Sequence, residues 1–369
     1  MSIPRDSQSM LRDRWKIEET DMVDIYGTIG PSCSSQEILT EMFRAGMTGV
    51  RLNLSHISLR ESAEQIEKLY AAAHTAGVNP ILLIDMQGPE LRIGRLKEAL
   101  VLREKEKAVL FCEKIKAEEL LKYCGEGTPA IPVPEAVCAP LEKEMEVLLD
   151  DGRISLRITE GRGDHAVAEV VRGGSLTGRK SVKIPGLDIK MPTLTHDDID
   201  NIRDAASYGV TGIMQPFVRS REDLDEVHNA LWKFRGQCLR VIAKIENKAG
   251  MAQIDSLLPA CHGVCIARGD LGNDMPLWEL PGAQKKISAA CRKAKRYFMV
   301  ATQMLTSMTD CAVPTRAEVN DIFNTVADGA SGVMITGESA VGKYPVEAIR
   351  FLANTARQGE LYRNTGREL

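Results

Sequence analysis

Residues 241–250 read VIAKIENKAG, an apolar run that leads directly into a lysine and a glutamate two positions apart. Side chains two positions apart on a β-strand lie on the same face. Lys244 and Glu246 therefore point the same way where the predicted strand 239–244 ends. A helix is predicted straight after it, near 247–257, so this stretch is one strand–helix unit.

The same unit recurs along the chain, as short β-branched or aliphatic runs that are each followed by an amphipathic stretch. The predicted strands are 23–28, 48–54, 80–85, 211–214, 239–244, 263–267, 297–301 and 332–335. Thr195, Ser220 and Thr315 have the spacing of helix N-caps. Eight parallel strands that alternate with helices predict an α/β fold of the TIM (β/α)8 barrel class, with catalytic groups at the carboxyl ends of the strands.

The alternation breaks after the third strand, where an inserted small all-β domain is predicted. VLLDDGRISLRI contains Asp151-Gly152 between two apolar arms, which is a strong hairpin signal. The predicted divisions are 1–96 for the first part of the barrel, with an N-terminal extension at 1–22, then 97–182 for a β-barrel-like lid, and 183–369 for the second part of the barrel.

Composition restricts the class of protein. The 369 residues are 44% hydrophobic and 27% charged, with a net charge of −4. This slightly acidic balance indicates neither a nucleic acid nor an anionic membrane as partner. No apolar run approaches the ~20 residues of a bilayer span, and the N-terminus lacks the apolar core of a secretory signal. The nine cysteines show no CxxC spacing, so we expect reduced thiols and a cytoplasmic protein.

Polar groups follow nearly every predicted strand at the end where a barrel enzyme places its site. They are Arg51, Asn53, Ser55 and His56 after the second strand, Asp85 after the third, Lys244 and Glu246 after the fifth, Asp270 after the sixth and Thr302 after the seventh. Glu246 and Asp270 are two carboxylates from adjacent strands, and one or two carboxylates typically hold Mg²⁺. With Lys244 and Arg51 beside them, they indicate a site for an anionic phosphate or carboxylate substrate.

Nine motifs together resemble the pyruvate kinase family over residues 25 to 355. They are TIGPSC (28–33), RAGMTGVRLNLSH (44–56), QGPELRIG (87–94), DDGRISL (150–156), KIEN (244–247), ARGDLG (267–272), ATQMLTSM (301–308), PTRAEVND (314–321) and TGESAVGKYPVEA (336–348). The resemblance implies transfer of a phosphoryl group from phosphoenolpyruvate to ADP, giving pyruvate and ATP. It also implies a divalent cation, Mg²⁺ or Mn²⁺, and K⁺.

The resemblance implies roles residue by residue. Lys244 and Arg51 would stabilise the phosphoryl group, and Thr302 would lie near the proton-delivery path. The backbone of Ala267, Arg268, Gly269 and Asp270 would bind the substrate carboxylate, with Thr302 beside it. Glu246 and Asp270 would be the Mg²⁺ ligands. Asn53, Ser55, Asp85 and the carbonyl of Met86 would form the K⁺ site, and Glu90 matches potassium-dependent members. Arg51, His56, Arg92 and Lys180 would contact the nucleotide.

Several positions depart from the family pattern, mostly on the nucleotide side. Ile57 and Glu61 stand in HISLRES, where the family usually has His-Gly and an aromatic residue. Met86-Gln87 replaces Thr-Lys and Gln215-Pro216 replaces Ala-Ser, while Lys183 and Thr306 replace an asparagine and a glutamate. These changes leave the phosphoryl acceptor open. Because the motifs run only to about residue 355, we expect a family member without the C-terminal allosteric domain.

Three functions are compatible with these residues. The first is a compact pyruvate kinase, for which we expect a homo-oligomer assembled through barrel helices. The second is a divergent enzyme that holds a pyruvate-type enolate on Mg²⁺ for a lyase, decarboxylase or other phosphoryl-acceptor reaction. The third is a non-catalytic metabolite-binding subunit. Structural interpretations also remain for single residues: Glu318 is expected to complete a capping box with Thr315, and Asp150 to serve a turn.

Overall fold

The computed structural model describes residues 22–55, 57–88, 91–112, 115, 127–150, 152–187, 189 and 191–365. Predictions for His56, Glu90, Asp151 and nearly all of the N-terminal extension lie outside the described residues. Chain contacts divide the protein into two units, which are described separately. The barrel unit contains residues 1–89, 192–272 and 276–369, and the inserted unit contains residues 90–191 with 273–275. The boundaries predicted for the insertion, 97–182, stay a prediction.

Eight parallel strands form a closed barrel, as the repeating strand–helix pattern predicts. They are β1 (Asp24–Thr28), β2 (Gly49–Asn53), β3 (Ile81–Asp85), β12 (Gly212–Gln215), β13 (Arg240–Ile245), β14 (Gly263–Ala267), β15 (Tyr297–Ala301) and β16 (Gly332–Met334). Each strand pairs with the next in this order, and β1 also pairs with β16 to close the sheet. The predicted TIM barrel class is therefore confirmed.

Helices follow the barrel strands. They are α1 (Gln36–Arg44), α2 (Ala63–Ala76), α4 (His196–Ala205), α5 (Arg221–Lys233), α6 (Lys248–Ala252), α7 (Ile254–Leu257), α8 (Arg268–Gly272), α9 (Leu280–Lys293), α10 (Arg316–Ala327), α11 (Gly337–Ala340) and α12 (Pro345–Thr365); α3 (Glu135–Cys138) lies in the inserted unit. Thr195 and Thr315 form capping boxes with Asp198 and Glu318. None of the described helices is both long and apolar enough to cross a bilayer.

The inserted unit is a separate all-β structure. Its strands are β4 (Leu100–Leu102), β5 (Lys107–Cys112), β6 (Ala130–Val133), β7 (Glu146–Leu149), β8 (Ile154–Gly161), β9 (His165–Arg172), β10 (Gly174–Leu176) and β11 (Val182–Lys183). Six of them form a sheet in the order β11-β7-β8-β9-β5-β6. The hairpin predicted around Asp151-Gly152 is the antiparallel β7–β8 pair, in which Leu149 lies opposite Ile154.

The alternation of side chains along the barrel strands separates an apolar interior from a charged rim. The buried interior cluster takes every second residue of its strands: Tyr26, Ile81, Leu83, Met214, Ile242, Cys265, Tyr297, Met299, Ala301 and Met334. On β3 and β13 the next residue with the same orientation is charged, namely Asp85 and Lys244, and on β2 Arg51 follows Gly49 by two positions. The apolar interior is therefore covered at its carboxyl-terminal end by a layer of charges.

Two tyrosine rings fill the opposite, amino-terminal end of the barrel. The Tyr297 hydroxyl donates to Asp24 Oδ2 at 3.2 Å, and the Tyr26 hydroxyl lies 3.2 Å from the Tyr297 hydroxyl. Space for the rings comes from strand glycines, because a Cβ on Gly49 would overlap the Tyr26 ring and one on Gly332 would overlap the Tyr297 hydroxyl. Burial is the main reason that the pKa of Tyr297 lies far above its ordinary value. This end is a packed floor.

Substituting Gly49 with alanine is expected to lower the free energy of unfolding by about 2–3 kcal/mol. The added methyl group would collide with the Tyr26 ring, which is fully buried and cannot move aside cheaply. Urea denaturation followed by circular dichroism measures the change. Gly282→Ala is the matched control, since a Cβ there meets nothing within 4 Å; it should be neutral or stabilising by up to about 1 kcal/mol. Equal effects at both glycines would contradict the expectation.

Acid should weaken the barrel through His262, which precedes β14. Its Nδ1 accepts a hydrogen bond from the Val241 amide at 3.0 Å. Burial, followed by the charges of Arg240, His228 and Arg296, lowers the pKa of His262 to about 4. Between pH 6.5 and 4, His262 is protonated in the unfolded chain but stays neutral in the folded chain. The free energy of unfolding therefore falls as the pH falls. The full shift corresponds to about 3 kcal/mol, and partial exposure reduces it to about 2.

His262→Gln should therefore remove about 2 kcal/mol of the difference in unfolding free energy between pH 7 and pH 4.5, measured by urea titration at both pH values. The control is His196→Gln, whose ring is 87% exposed. A pH dependence that is identical in the wild type and in His262→Gln would show that this imidazole is not responsible.

Candidate active site

Four charged residues form one network at the carboxyl ends of β2, β3 and β13. Lys244 Nζ lies 2.8 Å from Glu246 Oε1 and 3.2 Å from Asp85 Oδ1. Arg51 Nε donates to the other Asp85 oxygen, Oδ2, at 2.7 Å. The Asp85 carboxylate therefore lies between two cations, and Lys244 lies between two carboxylates. The Lys244–Glu246 pair anticipated from the i, i+2 spacing is present, and it is half of this network.

Burial makes these charges depend on one another. The side chains of Asp85 and Glu246 are 2% and 0% exposed, and that of Lys244 is 13% exposed. Burial favours neutral Asp85, but Lys244 and Arg51 outweigh it and hold the pKa of Asp85 below its ordinary value. Burial likewise favours neutral Lys244, yet the carboxylates of Asp85 and Glu246 raise its pKa. Lys244 is consequently a permanent ammonium at neutral pH.

Two carboxylate oxygens in the network lack a hydrogen bond. Asp85 Oδ1 and Glu246 Oε1 are fully buried and accept no hydrogen bond in the described part of the chain, although both lie within ion-pair distance of Lys244 Nζ. The ammonium is close enough for Coulombic attraction, but its direction does not satisfy either oxygen. Buried acceptors of this kind are costly unless a further donor or a cation is present. Their lone pairs thus suit a bound cation.

The donor set favours a hard divalent ion over a zinc site. Among the described residues, no group of three or more His, Cys, Asp and Glu side chains is placed to hold a metal. Mg²⁺ needs only one or two carboxylates, because water and substrate oxygens complete its octahedron. Glu246 and Asp270, which lies in α8 directly after β14, are the carboxylates that the sequence predicts for this task.

Glu246 is held in place by a strained residue that follows the neighbouring strand, β12. The Phe217 amide donates to Glu246 Oε2 at 2.7 Å. Phe217 has a φ of 53°, in the left-handed region that side chains other than glycine rarely adopt. Such strain persists where the surroundings demand it and is concentrated at functional sites. Glu246 therefore has one oxygen anchored by an amide and one, Oε1, that lies beside the Lys244 ammonium and accepts no hydrogen bond in the described part of the chain.

The loop after β15 is fixed by Arg268. The Arg268 guanidinium, 8% exposed, donates to the carbonyls of Thr302 and Gln303 and pairs with Asp321 at 2.6 Å. Thr302 and Gln303 have φ values of 71° and 56°, so two successive residues are strained. Thr302 Oγ1 also accepts a hydrogen bond from the Gly269 amide at 2.8 Å. The Arg268 side chain thus contacts protein groups, and Asp321 is a partner that no sequence signal indicated.

The predicted potassium ligands lie on two neighbouring strands. The Asn53 side-chain oxygen accepts from the Ser55 amide at 3.2 Å. The Leu54 amide donates to the Asp85 carbonyl, and the Met86 amide donates to the Met214 carbonyl. These backbone bonds continue the barrel ladder beyond β2 and β3, so the residues occupy consecutive turns at the rim. Their role as a potassium site stays a prediction.

The predicted nucleotide residues belong to both units. Arg51 is in the barrel, whereas Arg92 and Lys180 are in the inserted unit. The Arg92 guanidinium donates to the Arg179 carbonyl at 2.8 Å. Lys180 Nζ pairs with Asp150 Oδ1 at 2.7 Å. Asp150, expected as a turn residue, has a φ of 50° and also holds this lysine.

Fold and charge together define the class. A TIM barrel whose carboxyl-terminal rim carries a buried ammonium, a guanidinium and buried carboxylates has the architecture of a barrel enzyme with a charged site. Comparison with known proteins narrows the class. A family model described as the pyruvate kinase barrel domain matches residues 20–349.

Individual relatives agree with the family model. The chain is 36% identical to the pyruvate kinase of Thermococcus litoralis over 343 residues, which are 92% of this chain and 70% of the relative. It is 35% identical to the Methylorubrum extorquens pyruvate kinase, covering 91% of this chain and 68% of that protein. It is also 35% identical to the Geobacillus stearothermophilus pyruvate kinase, covering 90% of this chain and 56% of that protein. The chain belongs to the pyruvate kinase family, a family of phosphotransferases, and the resemblance carried by the motifs is confirmed.

Proposed function

We propose that the protein transfers the phosphoryl group of phosphoenolpyruvate to ADP, giving ATP and pyruvate. The observation that carries the proposal is the position of Lys244, an ammonium held between Asp85 and Glu246 at the rim of a pyruvate kinase-family barrel. In the reaction the bond from phosphorus to the enol oxygen breaks, and a bond from phosphorus to a terminal oxygen of ADP forms. The enolate carbon then takes up a proton.

The residues that would hold the cations are those predicted from the sequence. Glu246 and Asp270 would bind Mg²⁺ or Mn²⁺, consistent with the free lone pair on Glu246 Oε1. Asn53, Ser55, Asp85 and the Met86 carbonyl would bind K⁺, consistent with the free lone pair on Asp85 Oδ1. When bound, the divalent ion would neutralise charge on the phosphate and on the enolate oxygen.

Lys244 and Arg51 supply the fixed positive charge. Phosphoryl transfer spreads negative charge over the peripheral oxygens, and catalysis comes mainly from positioning and from preorganised cations. The raised pKa of Lys244 keeps this charge in place over the whole physiological range of pH. Arg51, fixed by Asp85, presents a planar guanidinium that suits phosphate.

The segments after β14 and β15 would bind the substrate carboxylate and lie near the path of the proton. The backbone from Ala267 to Asp270 would bind the carboxylate of phosphoenolpyruvate. The Gly269 amide is hydrogen-bonded to Thr302 Oγ1 in this structure, so the carboxylate would compete with that hydroxyl. A released Thr302 hydroxyl would lie beside the substrate and near the path of the proton. His56, Arg92 and Lys180 would contact the nucleotide with Arg51, as the motif resemblance implies.

The proposal is tested by mixing purified protein with phosphoenolpyruvate, ADP, MgCl₂ and KCl and measuring ATP with luciferase. We expect ATP formation that needs the divalent ion and is weakened when NaCl replaces KCl. A panel of nucleoside diphosphates tests which acceptor the protein uses, because residues on the nucleotide side differ from the family pattern. No product with any diphosphate, from folded protein, would overturn the proposal in favour of another reaction of a metal-bound enolate.

Glu246→Gln is expected to reduce kcat/KM by about 10²–10³-fold and to raise the Mg²⁺ concentration needed for half-maximal activity. The amide cannot supply the anionic oxygen, although it keeps the size of the side chain. Steady-state rates across a MgCl₂ titration measure both effects. Glu226→Gln, at an exposed position on α5, should leave the titration unchanged. An unchanged Mg²⁺ requirement in Glu246→Gln would exclude this residue as a ligand.

The proposal also includes a cellular compartment, the cytoplasm, and a homo-oligomeric assembly. Eight cysteines in the described residues are free thiols, six of them buried. Free thiols of this number are typical of a reducing compartment, which supports the cytoplasm. A homo-oligomer built through barrel helices stays a prediction, to be measured by light scattering.

A further inference from the structure

Asp198 accepts hydrogen bonds from two segments that lie far apart in the sequence. The Gln87 amide donates to Oδ1 at 2.9 Å, and the Gly88 amide donates to Oδ2 at 3.1 Å. From the other segment, the Thr195 amide and hydroxyl donate to Oδ2 at 2.9 and 2.8 Å. The side chain is fully buried. A helix-capping carboxylate ordinarily serves only its own helix, so the two bonds from Gln87 and Gly88 need a separate explanation.

The two segments are the ones that connect the barrel to the inserted unit. Gln87 and Gly88 lie just before the chain leaves the barrel unit after Pro89, and Thr195 lies just after its return at Pro192. Asp198 therefore joins the outgoing backbone to the returning one within the barrel. The returning segment is itself anchored, because Gln215 Nε2 donates to the Thr193 carbonyl at 3.0 Å.

Other contacts also restrict the backbone of the turn at residues 86–88, which Asp198 holds. Met86, at its start, donates its amide to the Met214 carbonyl at 3.1 Å. Gly88 has a φ of 61°, and a Cβ at this position would collide with Pro216. Both amides donated to Asp198 come from the two residues after Met86, whose carbonyl belongs to the proposed potassium site. The position of that carbonyl is thus determined by a ladder bond on one side and by Asp198 on the other.

We propose that Asp198 is a positioning residue for the monovalent-cation site: its carboxylate fixes residues 86–88 so that Asp85 and the Met86 carbonyl converge on the ion. The inference rests on the proposed function for the identity of the ion. Asp198 does not touch substrate or cation. A carboxylate is required because every bond to its two oxygens comes from a donor, whereas asparagine would present an NH₂ group to one of the donors.

The first test is amide hydrogen exchange followed by mass spectrometry, which needs no activity. Asp198→Asn should raise exchange at least tenfold in peptides that contain residues 86–88. Thr195→Val is the matched control: it removes the capping hydroxyl but keeps the carboxylate, so exchange at 86–88 should stay at the wild-type level. Unchanged exchange at 86–88 in Asp198→Asn would overturn the proposal.

The second test measures the cation. At constant ionic strength, replacing NaCl by KCl should raise the Tm of the wild type, because a ligand that binds only the folded state stabilises it. Asp198→Asn should reduce this Tm difference by at least half and raise the K⁺ concentration for half-maximal ATP formation at least tenfold, with kcat at saturating K⁺ within threefold of the wild type. A variant with faster exchange but an unchanged response to K⁺ in both measurements would overturn the proposal.

A second variant covers the case in which Asp198→Asn does not fold. Gly88→Ala disturbs the same turn from its other side, through the left-handed φ and the Pro216 contact. It should weaken the K⁺ response while leaving Asp198 intact, and a normal response would overturn the proposal. If the wild type forms no ATP, the proposed function fails, while hydrogen exchange and the K⁺-dependent Tm still decide the role of Asp198.

Discussion

Lys244→Met is expected to reduce ATP formation by at least about 10³-fold at saturating substrates. Methionine preserves the length and packing of the stem but removes the ammonium from between Asp85 and Glu246. The rate falls because the transferred phosphoryl group loses its nearest fixed cation. Stopped assays for ATP measure the loss, and Lys286→Met, on the exposed side of α9, is the control that should retain wild-type activity.

The same variant separates phosphoryl transfer from enolate chemistry. Exchange of the pyruvate methyl hydrogens with deuterated water, followed by NMR, reports enolate formation without phosphoryl transfer. Because the metal ligands remain, this exchange should fall far less than ATP formation. An equal loss of both would show that Lys244 acts mainly by keeping the site intact, and full retention of ATP formation would remove it from the mechanism.

Asp85→Ala is expected to cost about 3–5 kcal/mol of folding stability as well as most of the activity. Removing this carboxylate leaves Arg51 and Lys244, both largely buried, without their shared counter-ion. Repulsion between the two cations should also displace the Arg51 guanidinium, which Asp85 fixes through Nε. Urea denaturation gives the stability, and the luciferase assay gives the activity.

The control for Asp85 is Asp225→Ala, since Asp225 pairs with Arg221 on the surface of α5 with both side chains about half exposed. A surface pair of this kind contributes less than about 1 kcal/mol. A loss at Asp85 no larger than that at Asp225 would contradict the view that the buried network supports both the fold and the site.

Much of the fold could be predicted because it depends on local pattern. The eight strands are short apolar runs, and period-two alternation places Lys244 and Glu246 together without knowledge of the rest of the chain. The capping boxes at Thr195 and Thr315 follow from spacing alone. The charged residues at the strand ends indicated an anion-binding site, because packing of the barrel does not require charges there.

Contacts between distant segments could not be predicted from local pattern. Asp85 meets Lys244 across β12, which lies between their strands, so neither sequence spacing nor strand adjacency reveals the pair. The left-handed backbone at Phe217 carries no sequence signal, because aromatic residues rarely adopt it. The N-cap predicted at Thr195 gives no indication that Asp198 also accepts hydrogen bonds from a turn more than 100 residues earlier; only the structure shows it.

The tyrosine-filled floor of the barrel gives the two ends of the molecule different evolutionary freedom. Variants at Gly49 or Gly332 would be selected on folding yield alone, whereas exposed positions outside the buried charge network can change while the floor maintains the barrel. Divergence in acceptor preference should therefore accumulate at exposed positions such as Ile57, which is 38% exposed, with little penalty in expression. Random mutagenesis screened separately for protein abundance and for turnover would distinguish positions that affect folding from positions that affect activity.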